Sequence, residues 1–106
     1  MTCPECGGAL FELGSSPLRF RCYTGHAYTS ASLLSAQDES IEEALWVAIR
    51  ALHEKQLLLE SLARSSEAAG RSQAVEEYEP AIRGIEQHKA ALQALITKSH
   101  VPYQTG

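Results

Sequence analysis

The stretches that decide the fold are Cys3-Pro4-Glu5-Cys6-Gly7-Gly8 and Cys22-Tyr23-Thr24-Gly25-His26. The first has the Cys-x-x-Cys spacing of a zinc knuckle, and the glycines after it allow the chain to fold back. The segment between the two stretches is long enough for one short hairpin, which returns the chain to the first knuckle. The sequence therefore predicts one metal site formed by Cys3, Cys6, Cys22 and His26.

The ligand types of this site favour zinc. Three thiolates and one imidazole suit zinc better than magnesium or calcium, which prefer oxygen ligands. Four protein ligands leave no position for an activated water, so we predict one structural zinc ion per chain and no catalytic residue.

Three other interpretations of the cysteines stay open at this point. The thiols can be small buried hydrophobic groups, with His26 an ordinary loop residue. A redox Cys-x-x-Cys pair is a second interpretation, although no thioredoxin-like strand and helix pattern surrounds Cys3 and Cys6. An iron site is the third, and the imidazole of His26 favours zinc over iron.

Between the two knuckles the sequence predicts a β-hairpin. Residues 9–13 and 18–22 are short apolar and aromatic runs separated by Gly14-Ser15-Ser16-Pro17. Arg19 and Arg21 alternate with apolar residues, which is the two-residue period of a strand with one solvated face. Residues 1–28 are too few to fold alone, whereas structural zinc supplies on the order of 10 kcal/mol of apparent binding free energy. We therefore expect this ribbon to be unfolded without zinc.

The remainder of the chain is rich in helix-forming residues and predicts two antiparallel helices. Ser40-Ile41-Glu42-Glu43 has the pattern of a capping box and predicts the start of the first helix. Ser65, Ser66 and Gly70 predict its end. Apolar residues at spacings of three and four mark the contact side of each helix, with one lysine in each series: Leu45, Ala48, Leu52, Lys55, Leu59 and Leu62, then Ile82, Ile85, Lys89, Leu92 and Ile96.

Pro80 sets the expected start of the second helix. Inside a helix a proline removes one backbone hydrogen bond and costs about 3 kcal/mol, whereas in the first turn it is tolerated. We therefore predict a well-ordered helix from about Glu79, with 72–78 helical but kinked. The predicted fold is small α+β: a zinc ribbon at 1–28, a connector with a short helical turn at 29–39, an antiparallel helical hairpin at 40–98 and a flexible tail at 99–106.

Length, charge and composition exclude several functions. A chain of 106 residues is too short for an enzyme with separate cofactor and substrate domains. Nine Lys and Arg against thirteen Asp and Glu give a net charge of −4, which disfavours nucleic acid and anionic membranes as partners. No apolar run reaches the length of a membrane span and no secretory signal begins the chain. The odd number of cysteines, three, indicates a reducing compartment, so we expect a cytoplasmic protein.

Other candidate residues carry weaker signals. His53, His88 and His100 lack neighbouring metal ligands and are expected to be solvated or interfacial. Arg19, Arg21, Tyr23 and Tyr28 resemble a small platform for bases, because basic and aromatic groups together bind single strands. The sequence contains neither a nucleophile elbow nor a phosphate-binding loop.

Two longer segments resemble a known family. CPECGGALFELGSSPLRFRCYTGHAYTSASLL, followed by ESIEEALWVAIRALHEKQLLLESLA, is similar to the C-terminal extension of some bacterial chemotaxis protein-glutamate methylesterases. The resemblance covers about residues 3–65 and implies a signalling context, with zinc bound by Cys3, Cys6, Cys22 and His26. It does not imply esterase activity, because the family's catalytic Ser, His and Asp lie in a separate domain that this chain lacks.

These observations lead to one expected function and two alternatives. We expect a non-catalytic zinc-binding module for protein interaction or assembly, in chemotaxis-type signalling. A nucleic-acid-binding ribbon is the first alternative and a zinc-dependent hydrolase the second. Apolar residues beyond the contact side of the first helix predict either a homodimer, formed as a four-helix bundle, or a signalling protein as partner: Trp46, Ile49, Leu57 and Leu58.

Overall fold

The computed structural model describes residues 1–98, and the predicted tail at 99–106, with His100, lies outside the described residues. The elements follow the order β1 (Leu10–Leu13), β2 (Arg19–Cys22), β3 (Ala27–Thr29), α1 (Ser30–Ala68) and α2 (Ser72–Lys98). The chain divides into two compact units, Met1–Glu43 and Ala44–Lys98. Neither α1 nor α2 contains an apolar stretch long enough to cross a membrane.

The sheet of the N-terminal unit is antiparallel and has the strand order β1-β2-β3. The two predicted strands are confirmed, and their register places Phe11 opposite Arg21 and Leu13 opposite Arg19. The third strand was not predicted from the sequence. It pairs Tyr28 with Phe20. The fold class, a small α+β protein with a zinc-ribbon-like N-terminus, is confirmed.

One face of this sheet is covered by the start of α1. Phe20 and Tyr28 point to that side and form a small core with Leu33 and two cysteines, Cys3 and Cys22. The same core is completed by partly buried residues at its edge, namely Leu10, Leu18 and Ala36. Alternation along β2 leaves Arg19 and Arg21 exposed on the opposite face.

The first helix begins at Ser30, so the predicted start at Ser40 is wrong. Thr29 is the actual cap: its hydroxyl accepts a hydrogen bond from the Ser32 amide (3.1 Å), and the Thr29 amide donates to the Ser32 hydroxyl (2.9 Å). This reciprocal pair satisfies two amides that a helix start leaves free. The predicted connector at 29–39 is therefore part of α1, which continues through Ser40 without interruption.

The second unit is a helical hairpin. Gly70, one of the residues predicted to end α1, follows the helix in a left-handed conformation with a φ of 78°, whereas Ser65 and Ser66 still lie inside it. The amide of Arg71 donates to the carbonyl of Ser66 (2.8 Å) and the amide of Gly70 to that of Glu67 (3.0 Å), which is a Schellman motif. Pro80 lies inside α2, which begins at Ser72. Residues 72–78 are helical, as predicted, but they belong to the same helix, so no new helix starts near Glu79.

The sides of α1 and α2 that face each other follow a heptad spacing, and we call these positions the seam. Ile49, Ile85 and Ile96 are its buried members. On α2 the seam also contains five half-buried residues: Val75, Tyr78, Ile82, Lys89 and Leu92. Together with Ile85 and Ile96, they include every position that the sequence predicted for this helix. Val75 and Tyr78, which precede Pro80, are half-buried, and burial of such side chains can offset the cost of the hydrogen bond that this proline removes.

A polar layer interrupts the seam. Lys89 donates to Gln56 Oε1 and to His53 Nδ1, both at 3.2 Å, and Gln56 Nε2 donates to Glu60 at 3.1 Å. Gln56 is half-buried and Lys55 is exposed, so the predicted lysine of α1 is wrong by one position. Leu62, also predicted in the seam, is 41% exposed.

Candidate metal centre

The first knuckle is held by backbone hydrogen bonds around the two cysteines. The amide of Gly7 donates to the Cys3 carbonyl (2.8 Å), and the Cys3 amide donates to the Gly8 carbonyl (2.6 Å). Gly7 has a φ of 73°, a left-handed conformation that glycine adopts without a steric cost. The tight turn places the sulfurs of Cys3 and Cys6 on one side of the chain.

The second knuckle follows β2 in the same manner. Gly25 donates its amide to the Cys22 carbonyl (3.1 Å), and the Cys22 amide donates to the His26 carbonyl (3.0 Å). A φ of 100° at Gly25 turns the chain back toward β3. The turn therefore brings His26 beside Cys22, and β2 carries both toward the first knuckle.

The structure brings all four predicted site residues together. Their ligand atoms, three sulfurs and His26 Nδ1, lie within 4.8 Å of one another. The Cys6 and Cys22 sulfurs are 3.8 Å apart, and Nδ1 lies 3.6 Å from the Cys3 sulfur and 3.3 Å from the Cys22 sulfur. Cys3 and Cys22 are buried, whereas Cys6 is exposed. This group can hold a metal ion.

Thr24 supports the cluster from the second knuckle. Its hydroxyl lies 3.0 Å from the Cys22 sulfur and 3.5 Å from that of Cys6. The hydrogen bond with Thr24 lowers the pKa of the Cys22 thiol to about 5, although burial acts in the opposite direction. Cys22 is therefore a thiolate at neutral pH, which is the form that binds metals.

His26 is oriented by a carboxylate. Its Nε2 lies 2.9 Å from Glu5 Oε2, while Nδ1 faces the sulfurs. The hydrogen bond with Cys22 raises the pKa of the His26 imidazole, and Glu5 adds to this increase. A carboxylate on the second nitrogen fixes the tautomer in which Nδ1 is free to bind a metal. From the doubly protonated imidazolium, the form that the raised pKa favours, metal binding at Nδ1 displaces a proton.

Tyr28 contacts the cluster from β3. Its hydroxyl lies 3.6 Å from the Cys3 sulfur, and this hydrogen bond, together with burial, raises the pKa of Tyr28. The phenol consequently keeps its proton and is able to donate it to a hydrogen bond with the Cys3 sulfur. The hypothesis that Tyr28 belongs to an exposed platform for bases is wrong, because its side chain is buried in the core.

The remaining candidate residues do not join the cluster. His53 contacts Lys89 in the helical hairpin, and His88 is exposed on α2. Tyr23 is exposed and its ring packs edge-on against Phe11, with centroids 4.7 Å apart. Thr24, Glu5 and Tyr28 were missed as supporting residues, because the sequence signal marks only the ligands themselves.

Comparison of the chain with protein-family models, with curated proteins and with solved structures finds no match.

Proposed function

We propose that the chain is a non-catalytic protein-interaction module whose N-terminal unit is held together by one zinc ion. The observation that carries the zinc assignment is the spacing of the four ligand atoms. With Zn–S bonds of about 2.3 Å, the sulfurs of a tetrahedral site are about 3.8 Å apart, and a sulfur and an imidazole nitrogen about 3.6 Å apart. The Cys6 to Cys22 and Cys3 to His26 separations match these lengths, at 3.8 and 3.6 Å, the Cys22 to His26 separation is shorter, at 3.3 Å, and all four ligand atoms lie within 4.8 Å of one another.

Four protein ligands support a structural role for the ion. Bound there, zinc would neutralise thiolates and join the two knuckles, which supplies folding free energy to a unit with a small core. A hydrolase that uses zinc-bound water needs an open coordination position. Three of the ligands, His26, Cys3 and Cys22, form hydrogen bonds with neighbouring side chains, namely those of Glu5, Tyr28 and Thr24. These hydrogen bonds favour retention of all four ligands over release of one.

Metal analysis with a matched pair of histidine variants tests the zinc assignment. We expect close to one zinc per chain in the native protein and in His53→Ala, and clear loss of zinc in His26→Ala. Cobalt(II) in place of zinc should give the absorption of a tetrahedral thiolate site. Purified protein that folds without bound metal, or equal zinc contents in both variants, would contradict the proposal.

Chemotaxis-type signalling is the proposed context, and it rests on the motif resemblance alone. A module of this kind acts by binding another protein, either a second copy or a signalling protein. Affinity capture with the native chain and with the His26→Ala variant tests whether binding needs the metal-held unit. A chemotaxis component retained by the native chain and lost with the variant supports this context; retention of none contradicts it.

Nucleic-acid binding is a second candidate, favoured by one observation. Arg19 and Arg21 share the exposed face of the sheet with Phe11 and Leu13, and each of these apolar side chains is 42% exposed. Basic and aromatic groups on one surface bind single strands. Salt-dependent binding of an oligonucleotide that is lost on replacing both arginines by Glu, and kept in Arg83→Glu on α2, would establish this function.

A further inference from the structure

The surface of α1 that points away from the seam carries four exposed apolar side chains. Trp46, Val47, Leu57 and Leu58 are between 51% and 61% exposed. The first pair lies about three full turns before the second, so both pairs lie along one strip of the helix, about 16 Å apart. Arg50 and Glu54 lie between them. We call these six residues the outer face.

The outer face has the same chemistry when the helix is read in either direction. Reversal about Leu52 exchanges Trp46 with Leu58 and Val47 with Leu57, an apolar residue for an apolar residue. It also exchanges Arg50 with Glu54, a cation for an anion. In a two-fold contact, residue i meets residue j of the second copy and j meets i. A surface with this pattern is therefore complementary to itself.

We infer that the outer face is a homodimer contact in which two copies of α1 pack antiparallel about a two-fold axis near Leu52. Each Arg50 then faces Glu54 of the second copy, and this occurs twice, on either side of the axis. The apolar pairs pack against each other at the two ends of the contact. The inference rests on the proposed function as an interaction module, and it names the partner as a second copy of this chain.

The area of the outer face is sufficient for such a contact. Side chains of these types and exposures present roughly 400 Å² of apolar surface, divided between the two ends of the outer face. Two copies together cover about 800 Å², and the side chains between the apolar pairs bring the contact to about 1,200 Å², where specific interfaces begin. The geometry differs from the expected four-helix bundle, because Ile49 is buried and does not contribute to this surface.

Sedimentation equilibrium at micromolar concentration tests the contact. We expect the native protein to be a dimer and Leu58→Glu to raise the dimer Kd by at least about tenfold. Leu95→Glu is the matched control, because Leu95 is 52% exposed on α2 and lies outside the outer face. Circular dichroism should show equal helix content in all three. A monomeric native protein, or equal effects of the two variants, would overturn the inference; a monomer that binds zinc would leave the zinc assignment intact.

A mixing experiment tests the antiparallel register. Arg50→Glu alone places two carboxylates opposite each other, and Glu54→Arg alone places two cations opposite each other, so each variant should dimerise about tenfold more weakly. Mixed together, the two variants should form a heterodimer with near-native Kd, since every facing pair is again opposite in charge. This readout depends only on contacts between chains. Failure of the mixture to recover the Kd would refute the register.

Discussion

The two units of this protein are stabilised by different chemistry. In Met1–Glu43 the buried core is small, and two of its members, Cys3 and Cys22, are also candidate metal ligands. In Ala44–Lys98, among the residues whose burial the structure describes, the buried ones are isoleucines in a heptad, with a polar layer between them. The stability of the ribbon thus depends on a few metal-binding residues, whereas that of the helical hairpin comes from many side chains in a repeating pattern. The following predictions test this contrast.

Metal removal should have the largest effect, and only on the first unit. Chelation is expected to remove on the order of 10 kcal/mol of apparent binding free energy and to unfold the sheet, and Cys6→Ser, which removes one of the four ligands, to remove part of this free energy. In amide correlation spectra, the signals of Met1–Glu43 should collapse while those of Ala44–Lys98 remain dispersed. An intact sheet after chelation would show that its apolar core is sufficient alone.

A cavity in the seam should destabilise the second unit and leave the first unit unchanged. Ile85 is 4% exposed, so Ile85→Ala should lower the free energy of unfolding of the hairpin by about 2–5 kcal/mol, through lost burial and an incompletely filled cavity. Urea denaturation measures this loss. Leu95→Ala, at an exposed position, should change it by less than about 0.5 kcal/mol. The zinc content should be native in both, and a loss of zinc in Ile85→Ala would contradict independent stabilisation.

Acid should weaken the first unit before the second. Because the pKa of Cys22 falls from 9.0 to about 5 in the folded chain, the folded state binds fewer protons between these values. Stability from Cys22 is present above its ordinary pKa and is lost as the pH falls through about 5. The raised pKa of His26 has the opposite sign, because its contribution is complete below the ordinary value of about 6.5 and is lost as the pH rises.

Zinc binds only deprotonated ligands, so protons compete with it. The affinity for zinc should therefore fall more than about a hundredfold from pH 8 to pH 6. Competition with a chromophoric chelator at each pH measures it. An affinity that does not vary with pH would mean that fewer of the four groups bind the ion.

The Thr24 hydroxyl should contribute a smaller amount. Thr24→Val keeps the shape of the side chain and removes the hydrogen bond to Cys22, so zinc affinity should fall about 10- to 100-fold. Thr24→Ser retains the hydroxyl and should remain close to the native affinity. Equal affinities of the valine and serine variants would show that the hydroxyl does not act on the sulfurs.

The polar layer of the seam should have the smallest effect. Lys89→Met replaces a half-buried cation by an apolar side chain of similar length, and such exchanges are often neutral or stabilising. We expect the free energy of unfolding to change by less than about 1 kcal/mol in urea. A loss above about 3 kcal/mol would mean that the hydrogen bonds to Gln56 and His53 stabilise the hairpin substantially.

Spacing along the chain predicted the four clustered residues, because a knuckle is a local structure and one hairpin suffices to join two of them. Alternation predicted β1 and β2, but β3 has only three residues and no apolar alternation of its own. Its existence depends on pairing with Arg19–Cys22. Glu5, Thr24 and Tyr28 became visible as supporting residues only from their distances to the cluster.

The start of α1 shows a different limit of prediction from sequence. Ser40 has the pattern of a cap, but the preceding residues are already helical because Leu33 packs in the core beside the sheet. Burial of an apolar side chain outweighs a local capping signal. The shift from Lys55 to Gln56 has a simpler cause: spacings of three and four leave two candidate positions between Leu52 and Leu59, and only the packed hairpin selects one.

Thr29 has a consequence for engineering of the N-terminal unit. It is the last residue of β3, opposite Arg19, and its hydroxyl and amide also cap α1. The strand and the helix share this residue, so no linker separates them and the boundary cannot accept inserted residues without loss of either the ladder or the cap. Peptide tags or a circular permutation site belong instead at Gly14-Ser15-Ser16, an exposed turn outside both strands.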